Sequence, residues 1–447
     1  MIYCINYKRS NQTFSVETSL STLFFREETM KKLLIAVLCL MLTGCAAPAS
    51  SDGSGPDRSV SPDIPAPSPA ASSGPNGESG PPQASPETDP ETAENPSASQ
   101  EPSESSLGPQ NQEQIIQELL SAMTLEEKVG QMFFVRCPET GGAELAAQYK
   151  VGGYLLFGRD FKDKTAQQVR DDIQSYQDAS GIPLLIGTDE EGGTVVRASS
   201  NPDLFPQREP APQTLFAQGG MDLILQDARQ KSMTLLDLGV NVNFAPVADV
   251  STDPADFIYA RSFGQDAQAT ANYVAQVVGV MGEEQIGSVL KHFPGYGNNV
   301  DTHTGIALDQ RPYETFQTSD FLPFQAGIQA GADAVLVSHN IAASMDESLP
   351  ASLSPTVHKI LREELGFDGV VLTDDLAMDA VMEYAQNGSA AVLAIQAGND
   401  MVVTTDFQTQ IPQVIHAVQS GVIAESQIDQ AVTRVLNWKY ELGLLGN

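Results

Sequence analysis

Eight short apolar runs punctuate the chain from Gln112 onward, and amphipathic segments separate most of them. The runs are FFV (133–135), GYLLF (153–157), PLLIG (183–187), VNFAP (242–246), SVLKH (288–292), AVLVS (334–338), GVVLT (369–373) and MVV (401–403). Each is short enough for a buried strand, and most end in polar or glycine-rich sequence. Helix-period segments cover 165–180, 213–238, 267–285, 317–330, 354–365, 379–397 and 408–419, and a last helix is predicted over 425–442. A first helix is predicted from Gln112 to Met123. Thr124 and Glu127 then form a capping-box pattern that opens a second. Eight strand–helix units in one stretch predict an α/β fold of the (β/α)8 type, a TIM-type barrel with a single catalytic domain. A doubly wound sheet is the rival arrangement. In a barrel, chemistry belongs at the C-terminal ends of the strands, and the polar motifs follow the strand runs as that rule requires.

The sequence ahead of the barrel has a different character. Met30-Lys31-Lys32 precedes an apolar stretch and Leu42-Thr43-Gly44-Cys45. A basic n-region, a short apolar h-region and a small-residue cleavage site read as a signal peptide over 30–44. The Cys position resembles a bacterial lipobox, which implies lipidation of Cys45. An ordinary signal peptide or a spanning helix is the alternative, and the run is short for a span. Residues 1–29 then lie upstream of the expected translation start at Met30. Residues 46–110 are rich in Ser, Pro, Gly, Ala and acids. With few bulky apolar side chains they cannot offset their ordering entropy, so a disordered tether is predicted. At roughly 3 Å per residue it reaches on the order of 200 Å. The globular domain is expected over 111–447. An enzyme anchored in the cell membrane through Cys45 and facing outward or into the cell wall is the expected localisation.

The formal charge of −33 argues against nucleic-acid partners and against charge-driven binding to an anionic bilayer. Cys4 and Cys39 fall in segments expected to be removed, and only Cys137 remains in the globular part. That leaves no internal disulfide there and no paired-Cys metal site. No metal and no cofactor is expected, and a monomer is the expected state.

The densest chemistry lies in residues 288–303, SVLKHFPGYGNNVDTH. An apolar run ends in Lys291 and His292, turns through Pro294, Gly295 and Gly297, and closes on Asp301 and His303. In extended backbone, side chains two apart share a side. Asp301 can then orient His303 and stabilise its protonated form for acid–base work. A structural reading, with a buried ion pair and a turn, stands beside this one.

After the third run come Asp189 and Arg197, spanning a Glu-Glu-Gly-Gly turn. A carboxylate there suits a sugar diol and a guanidinium suits a hydroxyl or carbonyl, whereas the bland alternative is a solvated acidic loop. Asn243-Phe-Ala-Pro246 leads to Asp249, which either orients its loop or touches substrate; Arg261-Ser-Phe follows. The seventh run ends in Thr373-Asp374-Asp375-Leu-Ala-Met378. Ser338-His339-Asn340 follows the sixth, with His339 open between pocket and core.

These motifs together resemble the bacterial β-N-acetylglucosaminidases of glycoside hydrolase family 3, over about residues 112–440. The segment from Lys291 to His303 is similar to K-H-F-P-G-H-G-(x)-D-[ST]-H. Residues 189–197 are similar to D-[QE]-E-G-G-R-V-x-R. Residues 243–250 and 261–263 are similar to N-F-A-P-V-x-D-V and R-S-F. Residues 373–378 are similar to [ST]-D-[DA]-L-x-M. The sequence departs from the pattern at Tyr296, where a second His is usual, at Thr194, which replaces the first Arg, and at Asn298-Asn299.

The resemblance implies a barrel fold and retaining hydrolysis of terminal β-linked GlcNAc, from peptidoglycan fragments or chitin-type oligomers. It implies Asp374 as nucleophile, His303 with Asp301 as acid/base dyad, and Asp189, Arg197, Arg261, Lys291 and His292 as sugar contacts. The carbohydrate is the expected partner. Phosphorolysis in the same site, another family 3 β-glycosidase, and an inactive lipid-anchored sugar-binding protein are the competing readings.

Overall fold

A computed structural model of the chain describes residues 109–299, 307–378, 381, 384 and 389–446, together with 8–9 and 12–13. The chain divides into two units, residues 1–98 and 99–447. In the first, Lys8–Arg9 pairs antiparallel with Gln12–Thr13. The expected signal peptide, Cys45 and most of the tether lie outside the described residues, as do Asp301 and His303.

The second unit is built on eight parallel strands: β1 (Phe133–Arg136), β2 (Gly153–Leu156), β3 (Leu185–Thr188), β4 (Val242–Asn243), β5 (Gly287–Phe293), β6 (Ala334–Val337), β7 (Val370–Thr373) and β8 (Val402–Thr404). They pair in the order β8-β1-β2-β3-β4-β5-β6-β7. A parallel bridge between Leu372 and Met401 joins β7 to β8 and closes the ring. The (β/α)8 barrel expected from the eight runs is therefore present. Every run contributes a strand, displaced by at most two residues at its start.

The helices form the outer layer. α1 (Pro109–Ala122) and α2 (Leu125–Gln131) precede β1. α3 (Gly142–Tyr149) follows it; this short helix lies in a stretch the periodicity left unassigned. α4 (Ala166–Ala179), α5 (Pro212–Asp237), α6 (Ala267–Glu283), α7 (Phe321–Gln329), α8 (Pro355–Lys359), α9 (Ala390–Ala397), α10 (Phe407–Gln419) and α11 (Glu425–Glu441) follow in turn. Local sequence starts several of them. Thr124 and Glu127 form the expected capping box, with Thr124 N donating to Glu127 at 2.9 Å and Glu127 N to Thr124 Oγ1 at 3.3 Å. Thr165 and Gln168 repeat the device at α4, and the Asp266 side chain caps α6. Such a cap contributes about 1 kcal/mol.

Strand side chains alternate between two cores. Phe134, Leu155, Leu185, Val242, Val289, Leu336, Leu372 and Val403 fill the barrel interior. Their neighbours Phe133, Val135, Ile186, Leu290, Val335, Val371 and Val402 face the helices. Val435 and Trp438 of α11 join the interior cluster. A Cβ on Gly287, the first residue of β5, would meet Trp438 at 3.0 Å. That places the indole at the N-terminal end of the barrel and leaves the C-terminal end for polar groups.

Candidate active site

The inside–outside alternation decides which side chains reach the C-terminal mouth. Phe134 points inward, so Arg136 does too at the end of β1. The same parity carries Phe157 past β2, Asp189 past β3, Lys291 on β5 and Asp374 past β7 into that mouth, each an even number of residues beyond an interior residue.

A chain of ion pairs joins β3, β5 and the loop after β4. Lys291 Nζ lies 2.7 Å from Asp189 Oδ1 and 2.6 Å from Glu191 Oε1. Arg261 forks onto Glu191, with Nε at 3.0 Å and Nη2 at 2.7 Å. Arg197 Nη2 donates to Asp189 Oδ2 at 3.3 Å. Burial by itself would raise the Glu191 carboxyl. The Arg261 and Lys291 charges outweigh it and hold the group well below the usual carboxylate range. Burial opposes the Arg261 cation in the same way, and Glu191 reverses the effect and raises its pKa.

Exposure separates the roles within this chain. The Lys291 and Glu191 side chains are each 2 % exposed, whereas Asp189 is 15 % and Arg197 27 % exposed. Asp189 and Arg197 can meet a sugar directly, and the buried Lys291 and Glu191 hold Asp189 and Arg261 in place. Glu191 was not among the residues singled out in the sequence. A signal existed, since it lies two residues from Asp189, the spacing that puts two side chains on one side of extended backbone.

His292 belongs to the same network. Its Nδ1 lies 2.7 Å from Asp249 Oδ2 and its Nε2 lies 3.0 Å from Arg261 Nη2. An arginine only donates, so Nε2 accepts and Nδ1 carries the proton given to Asp249. Asp249 also accepts the backbone N–H of His292 at 3.1 Å and of Tyr296 at 2.8 Å. Its side chain is fully buried, so of the two roles open for it, orientation of the loop is the one observed. The Tyr296 ring packs edge-on to His292, with centroids 5.2 Å apart, and is buried. The family-atypical Tyr is thus accommodated as packing against the imidazole.

The turn after β5 has a physical reason for its glycines. Gly295 and Gly297 have φ of 122° and 52°, which disfavour a side chain. A Cβ on Gly295 would collide with Asp320, and one on Gly297 with Arg311. Arg311 is held by Asp309 and Asp320 and donates to the Gly295 carbonyl at 3.1 Å. It braces the turn from beneath.

Asp374 stands half-buried directly after β7. Its N–H donates to the Val337 carbonyl at 2.9 Å, and its Oδ1 accepts the Asp375 N–H at 2.8 Å, which orients the carboxylate. Asp375 caps the next turn by accepting the Ala377 N–H at 3.0 Å. His339 is fully buried: Nε2 donates to the Asp375 carbonyl at 3.1 Å and Nδ1 accepts from Ser352 Oγ at 2.7 Å. It braces the Asp374 turn from the core.

Two guanidiniums lie over the Phe157 ring, Arg136 at 4.2 Å and Arg197 at 5.2 Å from its centroid. The single core thiol, Cys137, is buried, and burial pushes it up to about 12.

Residues 124–438 match the family described as Glycosyl hydrolase family 3 N terminal domain. A protein named Beta-hexosaminidase from Stenotrophomonas maltophilia is 35% identical over 318 residues, covering 68% of this chain and 89% of that protein. One of the same name from Xanthomonas campestris pv. campestris is 32% identical over 315 residues, covering 68% and 90%. Among solved structures, a glycoside hydrolase family 3 beta-N-acetylglucosaminidase from a Paenibacillus species superposes with a TM-score of 0.66 at 31% identity. That match covers 73% of this chain, which spans 64% of the Paenibacillus protein's length. A family 3 glycosyl hydrolase from Mycobacterium smegmatis superposes with a TM-score of 0.65 at 28% identity, covering 73% and 99%.

Proposed function

The chain belongs to glycoside hydrolase family 3, and from that premise we propose that it is a retaining exo-β-N-acetylglucosaminidase. Its substrates are peptidoglycan fragments or chitin-type oligosaccharides with a terminal β-linked GlcNAc. The observation that carries the reading is the common parity of Asp189, Lys291 and Asp374, which turns all three into one barrel mouth. The names of the relatives support the sugar class.

In this mechanism Asp189 and Arg197 bind hydroxyls of the terminal sugar, with Lys291, Arg261 and His292 completing and aligning the charged wall. Asp374 attacks the anomeric carbon, and the bond to the leaving oxygen breaks as His303, paired with Asp301, protonates it. Neutral His303 then takes a proton from water, which displaces Asp374 and releases the sugar with retained configuration. Asp301 and His303 titrate as a unit. Lipidation of Cys45 would hold the enzyme on the outer face of the membrane, with the acidic tether giving it reach into the wall.

The test is hydrolysis of 4-nitrophenyl N-acetyl-β-glucosaminide beside the plain glucoside, with Asp374→Ala as control. The acetamido sugar should be cleaved preferentially, and Asp374→Ala should lower kcat by at least about 10³-fold, the scale of removing a covalent nucleophile. Cleavage of neither glycoside, or full activity in Asp374→Ala, overturns the reading. Repeating the assay in phosphate buffer and measuring sugar 1-phosphate separates hydrolysis from phosphorolysis.

A further inference from the structure

The two acids that follow β3 leave the barrel wall in opposite directions. Asp189 turns into the mouth, and Glu190, one residue on, turns toward the helix layer. There the Glu190 side chain is fully buried and lines a small cavity with Ile224 and Lys231 of α5 and Tyr273 of α6. Both of its carboxylate oxygens are spent on one short stretch of chain. Oε2 accepts the backbone N–H of Arg197 at 3.0 Å, of Ala198 at 2.7 Å and of Ser199 at 3.3 Å. Oε1 accepts the Ser199 hydroxyl at 2.5 Å. Convergent donors of this kind are what make a buried carboxylate tolerable. Glu190 is itself pinned to the end of β4, where its N–H donates to Asn243 Oδ1 at 3.0 Å and its carbonyl accepts from Asn243 Nδ2 at 3.2 Å.

The head group of Arg197 is held far less firmly than its backbone. Nη2 donates to Asp189 Oδ2 at 3.3 Å, and Nε is buried without a partner among the described residues. The Phe157 ring lies 5.2 Å from the guanidinium. A long side chain with one such bond keeps donors free for a ligand, but it reaches a fixed place only if its backbone is fixed. The backbone is fixed by Glu190. Neighbouring acids thus grip one arginine at its two ends, Asp189 at the guanidinium and Glu190 at the main chain.

We propose that Glu190 is a positioning residue for sugar binding: by gathering the N–H groups of residues 197–199 it presents Arg197 to the terminal sugar already in place. This rests on the glycosidase reading above, in which Arg197 binds a sugar hydroxyl. Glu190 touches no substrate and takes no part in bond cleavage. Its contribution is acceptance of hydrogen bonds, so a side chain with an acceptor oxygen at the same reach should serve, and an apolar one of similar length should not.

The experiment measures kcat and KM on 4-nitrophenyl N-acetyl-β-glucosaminide for the intact wild type, Glu190→Met, Glu190→Gln, Arg197→Ala and the Glu190→Met/Arg197→Ala double variant. Glu190→Met should lower kcat/KM by about tenfold, mostly through KM, and Glu190→Gln should keep most of the wild-type value. On top of Arg197→Ala, Glu190→Met should cost less than about twofold more, because the side chain it positions is gone. A residue that only stabilised the fold would cost the same in both backgrounds. An undiminished loss in the double variant therefore overturns the proposal, as does a folded Glu190→Met with wild-type KM. If Glu190→Met does not fold, Ser199→Ala, which removes one of the four donors, decides the matter. It should raise KM about threefold when Arg197 is present and not when it is absent; an equal rise in both backgrounds, or none, overturns the proposal. Hydrogen exchange at the amides of residues 197–199 separates the two readings. Faster exchange in the Glu190 or Ser199 variant, with no cleavage by the wild type, sinks the hydrolase reading and leaves the anchoring of Arg197 standing. Cleavage by the wild type with unchanged exchange in the variant sinks the anchoring and leaves the hydrolase.

Discussion

At the residue scale, the candidate site is a chain of paired charges with one carboxylate at its centre. Glu191 is buried between Lys291 and Arg261, and each of those cations in turn fixes another group, Asp189 for one and His292 for the other. Removing its charge leaves two buried cations short of a counter-ion, which is more costly than the pair itself was stabilising. Glu191→Gln is therefore expected to lower stability by about 3 kcal/mol at pH 7 and kcat/KM by about 10²-fold. Urea denaturation and steady-state kinetics check the two parts. Because the folded pKa is depressed, this contribution is present above the ordinary carboxylate range and is lost only as pH falls through the depressed value. The gap between variant and wild type should hold at pH 7 and 5.

At the element scale, most helices follow from their own sequence, but the way α11 docks does not. Lys439 on α11 is fully buried, and its Nζ donates to Gln131 Oε1 of α2 at 2.6 Å. Gln131 donates in turn to the Lys150 carbonyl at 2.9 Å. Burial brings the Lys439 amine down to about 7. In the unfolded chain the amine stays protonated to near its ordinary 10.5. Between those values the unfolded state binds more protons, so this group's cost to folding is full below pH 7 and declines as pH rises. Lys439→Met should raise stability at pH 7 by about 1–3 kcal/mol, and the gain should shrink by pH 9.5. Paired denaturation curves at the two pH values measure it. A gain that does not change with pH would show that packing, not charge, is what the substitution altered.

At the scale of the whole molecule, the barrel is polar at one end because it is plugged at the other. Trp438 and Val435 close the N-terminal end against the interior layer, and the Leu372–Met401 bridge closes the ring. Trp438→Ala removes a buried indole from the interior cluster and is expected to cost about 3–5 kcal/mol. The midpoint of urea unfolding should fall accordingly. The variant's KM, measured well below that midpoint, should change little, because the plug and the mouth lie at opposite ends of the strands.

The barrel was legible in the sequence because its signal is local and repeated. Each run is apolar over three to five residues, most are followed by a helix period, and eight such units admit few closures. Capping at Thr124 and Asp374's place at a strand end were legible for the same reason. The partners were not. Glu191 reads as one acid in an acidic loop until the fold brings Lys291 of β5 and Arg261 of the loop after β4 against it, from 100 and 70 positions away in sequence. His339 stays open between pocket and core until Ser352 and the Asp375 carbonyl enclose it. Spacing along the chain determines strand, helix and parity. Which charges are matched depends on contacts across the ring, and only the closed barrel brings those groups within hydrogen-bond range.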